Sequence, residues 1–560
     1  MTTVAEYLAL RLAGLGVRHL FGVPGDFSLG LVDALTAPGH LDWVGTANEL
    51  DAGYAADGYA RRRGLGALCT THGVGELSAI NAVAGSYAEQ VPVVQITGAP
   101  PSRSRGAVLH HTLGDGDTGR TLRLYREVTA CAVELEPGSA AKQIDEALQA
   151  ALDRLRPVYV SVPADVVDAP VPDDDAVRLA SPLRPAPSRP AALAAFSAAA
   201  ADLLPDPLAA PGGGTPLLLV GHLVQRLHAE DLLGALADRT GWPVVHLLSG
   251  RATLDETSPG VLGWYAGAMG DDGVRAAVDA ARPLVLVGAL LSDMITGFFT
   301  HRDADPGRTI TLDLDAATVG GRRFDGVRLP DALAALAALP ASRTADPVRP
   351  LPATPPAAGA GPAPAGGLSQ RELWDAVQRW LPEDRTLVTD IGTAFLGAAG
   401  LTLPPGTAFL AQPVWSSIGW AVPAALGAAL ADPGRRTVLV TGEGAAQMTA
   451  AELGLLARRA PGGVVLVLDN GGYTIERMLR SPRAAYHDVP RWDWPALAAA
   501  LAPDHPPVTA TVRAPDELAA ALQRSDAETG RLTLLHVVLD PDDAPPLLQA
   551  LATVSTRRPR

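Results

Sequence analysis

Residues 441–476 read TGEGAAQMTAAELGLLARRAPGGVVLVLDNGGYTIE, and their pattern decides the fold. The β-branched and leucine runs at 437–440 and 464–468 are continuous, which marks strands buried on both faces. Thr449 and Glu452 have the spacing of a capping box, so a helix is expected to start between the two strands. Right-handed crossovers make such strands parallel, and ligands in open α/β sheets bind beyond the strands' carboxyl ends. Glu443 and Asn470, 27 positions apart, therefore become neighbours at one sheet edge. Gly442, Gly444, Gly471 and Gly472 let backbone N–H groups approach phosphate oxygens. Carboxylate, amide and carbonyl oxygens at these turns suit a hard cation such as magnesium. With 57 glycines in the chain, isolated G-x-G triplets arise by chance. It is the second glycine turn, after the next strand, that gives the first its weight.

Outward from this stretch, 560 residues with 48% apolar content can bury several cores. A formal charge of −15 argues against nucleic acid or an anionic membrane as partner. No apolar run reaches the length of a membrane span, and MTTVAEYLALRLAGLG carries acid and arginine within a helical pattern rather than a signal peptide. Cys69 and Cys131 are too few for a disulfide framework or a cysteine cluster, which suits a reducing cytoplasm. Pro-rich sequence at 169–190 and the Pro/Ala/Gly tract at 341–367 read as linkers. The expected organisation is α/β, with three doubly wound Rossmann-like domains of mainly parallel strands at 1–180, 190–340 and 368–560.

GEGAAQMTAAELG followed by LDNGGYTIER resembles the cofactor motif of the thiamine diphosphate (ThDP)-dependent 2-oxo acid decarboxylases, in particular the pyruvate, indolepyruvate and phenylpyruvate group. The resemblance implies a pyrimidine-binding domain at 1–180, a central domain at 190–340, a linker at 341–367 and a diphosphate-binding domain at 368–560. TANELDAGYAADGYARRR resembles the segment whose glutamate, here Glu49, hydrogen-bonds the aminopyrimidine. Asp26 in HLFGVPGDFSLGLVDAL and the pair His110 and His111 in AVLHHTLGDGD match the family's proton-handling residues, and Glu476 in GYTIE its active-site glutamate. Acetolactate synthases lack the histidine pair. VTDIGTAFLG and QPVWSSIGWAVPAALGAAL assign Thr393 to the diphosphate, Ile418 to the prop beneath the cofactor and the carbonyl of Ser416 to the aminopyrimidine. Gly442, Gly444, Ala445, Asn470, Tyr473 and Thr474 complete the cofactor set, with Glu443, Asn470 and Gly472 on magnesium.

The implied reaction is non-oxidative decarboxylation of a 2-oxo acid to aldehyde and CO₂ through a ThDP ylide and enamine, in a homodimer or homotetramer with each site between subunits. Ile391 and Ile475 would make the substrate wall apolar, favouring an aromatic or branched side chain over pyruvate. The AAQ after GEG, the WDW at 492–494 and DAPPLLQAL at 543–551 resemble the indolepyruvate and phenylpyruvate branch of the family. A pyruvate decarboxylase, a carboligase or acetolactate-type synthase, and a catalytically impaired ThDP-binding relative are the alternatives. Departures from the family pattern are Glu443 for Asp, Asp469 for Asn and His72 for an aromatic residue, with Asp115 and Thr118 altering the histidine loop. Asp469 is expected to point into the fold, and His72 either adds an imidazole to the site or packs as an aromatic would.

Overall fold

The computed structural model describes residues 2–37, 39–204, 215–301, 305–339 and 367–556. Three sheets follow one another along the chain. The first holds β1 (His19–Gly22), β2 (Asp42–Gly45), β3 (Gly66–Thr71), β4 (Val93–Ala99), β5 (Cys131–Glu134) and β6 (Val158–Pro163), all parallel, in the order β2-β1-β3-β4-β6-β5. The second holds β7 (Leu217–Val220), β8 (Val244–Leu247), β9 (Val261–Tyr265), β10 (Leu284–Val287), β11 (Thr309–Leu312), β12 (Ala316–Val319) and β13 (Arg322–Asp325). It is parallel from β9 to β11, and β12 and β13 add an antiparallel edge. The third holds β14 (Arg385–Thr389), β15 (Ala408–Leu410), β16 (Arg436–Gly442), β17 (Val464–Asp469), β18 (Val508–Val512) and β19 (Thr533–Val538), all parallel, ordered β15-β14-β16-β17-β19-β18. The expected α/β class with mainly parallel sheets is the observed one.

The first and third sheets have the same strand order, and one apolar core joins their units. The helix Glu49–Arg63 of the first lies against Ala421–Ala431 of the third, and both are built from alanine and glycine at the contact. A Cβ on Gly58 would stand 2.2 Å from the Ala424 carbonyl oxygen, and one on Gly427 would stand 1.9 Å from that of Ala55. Only glycine lets the two backbones come this close. Beside the crossing, Asp57 accepts hydrogen bonds from the Trp420 indole (2.9 Å), Arg61 (2.6 Å) and Ser86 (2.8 Å), so a buried carboxylate is fully partnered. Trp420 and Trp494 are completely enclosed in the same core, and each such burial contributes about 1.5–3 kcal/mol or more.

Two local expectations change. Thr449 and Glu452 form no capping box: Thr449 donates its hydroxyl to the Gly419 carbonyl at 2.8 Å, and Glu452 reaches the Ala47 N–H at 2.5 Å. The segment is instead two short helices, Glu443–Met448 and Glu452–Arg459, because tertiary partners outcompete the local cap. The stretch at 169–190 carries two helical turns, Asp173–Ala176 and Val177–Ala180, beside the N-terminal helix Val4–Gly14, whose Arg11 donates to the Arg178 and Ser181 carbonyls. The tract at 341–367 lies outside the described residues except for Gly367. No helix among the described residues is long and apolar enough to cross a membrane.

Candidate active site

In the first sheet, the loops that leave the strands' carboxyl ends gather most of the titratable side chains that the sequence singled out. Asp26 opens a short turn after β1, Asp26–Ser28, and its carboxylate meets His110 Nε2 at 2.5 Å and His111 Nε2 at 3.5 Å. The ligand-type atoms of the three side chains all lie within 4.8 Å of one another, and all three residues are exposed. Phe27 stacks on His110 at 4.8 Å between ring centroids and meets His72 edge-on at 6.4 Å. What little burial Asp26 has opposes its ionisation, but hydrogen bonds from His110 and the Phe27 N–H, with His111 nearby, hold it below the usual carboxylate range.

His72 directly follows β3 and is buried. Its Nδ1 lies 3.2 Å from Glu76 Oε1 yet out of hydrogen-bonding alignment, while that oxygen accepts from the Gly73 N–H at 2.7 Å. The Gly73 backbone passes directly beneath His111: a Cβ there would overlap the His111 carbonyl oxygen. Two residues on, a Cβ at Gly75 would stand 3.0 Å from Glu49 Oε1. The glycines of the GVGE turn thus bring Glu49, His72 and His111 to one wall. Glu49 is the first residue of the helix Glu49–Arg63, capped by Asn48, whose side chain accepts from the Asp51 N–H at 2.9 Å. Asp115 pairs with Arg120 and accepts from the Asp117 N–H at 3.1 Å, which closes the histidine loop. Between this loop and the His72 turn lies a recess of about 340 Å³, walled by His72, Val74, Leu77, His111, Leu113 and Thr118.

The third sheet gathers oxygens and glycines. Register pairs Gly442 of β16 with Leu468 of β17, so Glu443 and Asn470 leave the two strands side by side. Glu443, 3% exposed, accepts from the Gly472 N–H at 2.5 Å. Burial, then the neighbouring Asp469, pushes it up to about 7. Asn470 is also buried, and its Oδ1 has no donor. Gly471 and Gly472 have φ of 71° and 148°, left-handed backbone that favours glycine and turns the second loop back over the first. The Tyr473 ring covers Gly444, where a Cβ would stand 2.6 Å from it. Thr474 starts the helix Thr474–Leu479, with its hydroxyl donated to the Pro541 carbonyl at 3.1 Å and its N–H to the Gly472 carbonyl at 3.1 Å. Glu476 is exposed on that helix. Ala445 is buried in the helix Glu443–Met448.

Asp469 points into the fold, as expected: one oxygen pairs with His536 of β19 at 2.8 Å, while the other accepts from the Gly471 N–H at 3.2 Å. The His536 contact outweighs burial and holds it below the usual carboxylate range. The extra charge of this position is therefore matched inside the fold.

Thr393 opens the helix Thr393–Ala398 after β14, and its residue is buried. Ser416, in the turn after β15, has a φ of 58°, an unusual left-handed conformation for a non-glycine residue, and Ile418 is half-buried beside it. The turn is sewn to the first unit: Val414 and Trp415 N–H groups donate to Glu89 at 2.7 and 3.0 Å, the Trp415 indole to Asn81 at 3.1 Å, and Ser417 meets Tyr54 at 2.6 Å. Sequence reasoning missed Asp390, which lies at the carboxyl end of β14 and is fully enclosed. It accepts from Gly419 N–H at 3.2 Å, Ile391 N–H at 3.1 Å and the Thr441 hydroxyl at 3.3 Å, joining the ends of β14 and β16 to the Ser416–Ile418 turn. Burial pushes it up to about 7 against these hydrogen bonds. The signal was available in VTDIG, an acid ending a buried strand.

Ile391 and Ile475 are half-buried and also pack on the core of the third unit. Trp494 is enclosed and Asp493 caps the helix Trp494–Leu501 through the Ala496 N–H, while Asp543 accepts from Gln370 N–H at 2.5 Å.

The first and third sheets thus present two different surfaces. One has a carboxylate with two imidazoles beside a half-buried glutamate; the other has a glycine cradle with an all-oxygen donor set. The family descriptions that match the chain agree with this division. The thiamine pyrophosphate enzyme N-terminal TPP binding domain matches residues 2–119, the central domain residues 213–339, and the C-terminal TPP binding domain residues 390–537. An alpha-keto-acid decarboxylase of Mycobacterium avium is 43% identical over 559 residues, covering 98% of this chain and 96% of that protein. Alpha-keto-acid decarboxylases of Mycolicibacterium paratuberculosis and Mycobacterium ulcerans are 43% and 41% identical, covering 98% of this chain and 96% and 95% of their own lengths. Family domains and near full-length relatives together place this chain in the family of thiamine diphosphate-dependent 2-oxo acid decarboxylases, as a carbon-carbon lyase.

Proposed function

We propose that the chain converts a 2-oxo acid with a bulky aromatic or branched side chain to the aldehyde and CO₂, at sites assembled from two copies. The observation that carries the reading is the Asp26, His110 and His111 cluster, which stands on the same wall as Glu49 and His72. ThDP, when bound, supplies a nucleophilic carbon and an electron sink for the carboxylate carbon-carbon bond.

The third unit fits that group and a magnesium ion. Asn470 Oδ1 is buried with no donor, and a hard cation would satisfy it together with Glu443 and the Gly472 carbonyl. Gly442 has open space where a Cβ would project, which leaves room for the diphosphate beside Gly442, Gly444, Ala445, Tyr473, Thr474 and Thr393. Ile418 and the Ser416 carbonyl would hold the aminopyrimidine from the turn fixed by Asp390.

Glu49 Oε1 holds the proton at the pyrimidine nitrogen. Asp26, kept ionised, orients His110 and His111 to deliver a proton to the carbon that CO₂ leaves. Glu476 sits on the side of the substrate carboxylate. The recess of about 340 Å³ beside His72, walled by Val74, Leu77 and Leu113, accepts the large side chain, while Ile391 and Ile475 close the opposite wall.

Two copies are required by this reading because the proton-handling half is open. Asp26, His110 and His111 are exposed, and Val74, Val108 and Leu113 beside them are 55%, 67% and 59% exposed. On the diphosphate half, Met448 and Trp415 are likewise exposed. Covering such apolar rims with a second copy removes them from water.

CO₂ release with ThDP and magnesium, measured on phenylpyruvate, indolepyruvate, 2-oxoisovalerate and pyruvate, tests the reading. The expected order puts the aromatic and branched acids ahead of pyruvate, with free aldehyde as product. Acyloin as the main product would indicate a carboligase, and no CO₂ from any acid would overturn the reading.

A further inference from the structure

The first turn of the helix Glu49–Arg63 holds a second acid with quite different surroundings. Asp51 is 0% exposed, and Glu452, 1% exposed, comes to it from the helix Glu452–Arg459 of the third unit. The donors around the pair can be counted. Asp51 Oδ2 accepts from Asn48 Nδ2 at 2.9 Å, and Glu452 Oε1 accepts from the Ala47 N–H at 2.5 Å. Asp51 Oδ1 and Glu452 Oε2 remain, both buried and both without a donor.

Among the described residues no cation compensates them. The helix Ala421–Ala431, packed on Glu49–Arg63, carries no ionisable side chain. Glu76 of the helix Val74–Ala88 is turned to the Gly73 N–H and the Tyr159 hydroxyl, and Arg61 is held by Asp57 and the Ala411 carbonyl. Tyr54, on the same helix, also feels the Asp51 carboxyl and is itself paired with Ser417. Two adjacent buried carboxylates with an unmatched oxygen each are costly, and one proton between them satisfies both, since a protonated carboxyl donates and a carboxylate accepts. Burial, then the Glu452 carboxylate, pushes Asp51 up to about 8, and burial also raises Glu452.

The pair sits beneath the turn that delivers Glu49. Glu452 grips the Ala47 N–H, and Asn48 both caps the helix and holds Asp51, so residues 47, 48 and 51 fix where residue 49 begins. We propose that Asp51 is a positioning residue, a neutral carboxylic acid sharing one proton with Glu452 across the contact between the first and third units, and thereby holding Glu49 in place. This rests on the reading of Glu49 as the group that engages the cofactor. Because the folded state binds this proton more tightly than an ordinary carboxylate does, the contact is fully present below the ordinary carboxylate range. It is lost as pH rises through about 8, when two charges face each other.

The test compares wild type with Asp51→Asn, whose amide donates to Glu452 without a removable proton, and with Asp51→Ala. One readout is the thermal midpoint of the cofactor-free full chain against pH; the other is kcat and KM of decarboxylation against pH. The wild-type midpoint is expected to fall progressively between about pH 5 and about pH 8 and to level off above it, with Asp51→Asn falling less over that window. In kcat, wild type should show an alkaline limb near about pH 8 that Asp51→Asn lacks while keeping activity at neutral pH within about threefold. Asp51→Ala should lower kcat about tenfold at every pH with KM little changed. A fall in midpoint over that window that persists unchanged in Asp51→Asn would overturn the shared proton. Should Glu49→Gln stay active while the midpoint difference holds, the role of Glu49 fails and the proton pair stands.

Discussion

The first and third sheets share a strand order, yet their corresponding strand ends carry opposite chemistry. After β1, β2 and β3 come Asp26, Glu49 and His72, with His110 and His111 in the loop that follows β4. After β14, β15, β16 and β17 come Thr393, Ser416, Glu443 and Asn470. The first set offers groups that gain or lose protons. The second offers backbone, amide and carboxylate oxygens around glycines, suited to holding a diphosphate and a cation. The common topology decides where side chains converge; the loops decide what they do there. The central sheet, with its antiparallel β12 and β13 edge, departs from the shared order and supplies none of these residues.

Removing one group from either half should break the division in a characteristic way. Glu49→Gln should lower kcat/KM by about 10²–10⁴-fold with cofactor affinity nearly kept, because a proton-handling group is lost and the cradle is intact. Steady-state kinetics beside calorimetric ThDP titration checks this. Asn470→Ala should act on the opposite quantity, weakening magnesium-dependent ThDP binding by about 100-fold or more, with activity recovering partly at high magnesium. If both variants lost affinity equally, the two halves would not be chemically distinct.

The contact that joins the halves is the next target. Gly427→Ala puts a methyl group 1.9 Å from the Ala55 carbonyl oxygen, and a rigid helix crossing has no room to yield. About 3 kcal/mol of stability should be lost, read as a lower denaturant midpoint. The smallest effect is expected for Asp469→Asn, which keeps the turn but loses the charge partner of His536 at the cost of about 1 kcal/mol. The native Asp469 carboxyl is held below its ordinary range. Its contribution is therefore present above that range and lost as pH falls through the lowered value, so wild type and variant should converge in strong acid. ThDP affinity should change by less than about threefold, since the amide oxygen of the variant can still accept from the Gly471 N–H that Asp469 holds.

Much of this was legible in the chain. Buried β-branched runs mark β16 and β17, and the glycine turns after them put Glu443 beside Asn470. The pairing of Asp469 with His536 was half legible: the inward direction was expected, but the partner comes from β19, and only the tertiary arrangement brings it there. Thr449 and Glu452 misled because a capping box is a local pattern, and here both side chains have better partners in Gly419 and Ala47. Asp390 was missed for the same reason, since its value lies in joining three loops that sequence keeps apart. Asp51 reads as one more acid in a helix's first turn until Glu452 is found against it.

Mixed assemblies test the bipartite site most directly. Glu49→Gln disables the proton-handling half and Asn470→Ala the diphosphate half, so each variant alone should be almost inactive at limiting cofactor. Unfolded together in equal amounts and refolded, they should recover about a quarter of wild-type activity: half of the dimers are mixed, and each mixed dimer holds one site with both halves intact. No recovery above the separate variants, with mixed dimers present, would mean that both halves of each site come from one chain.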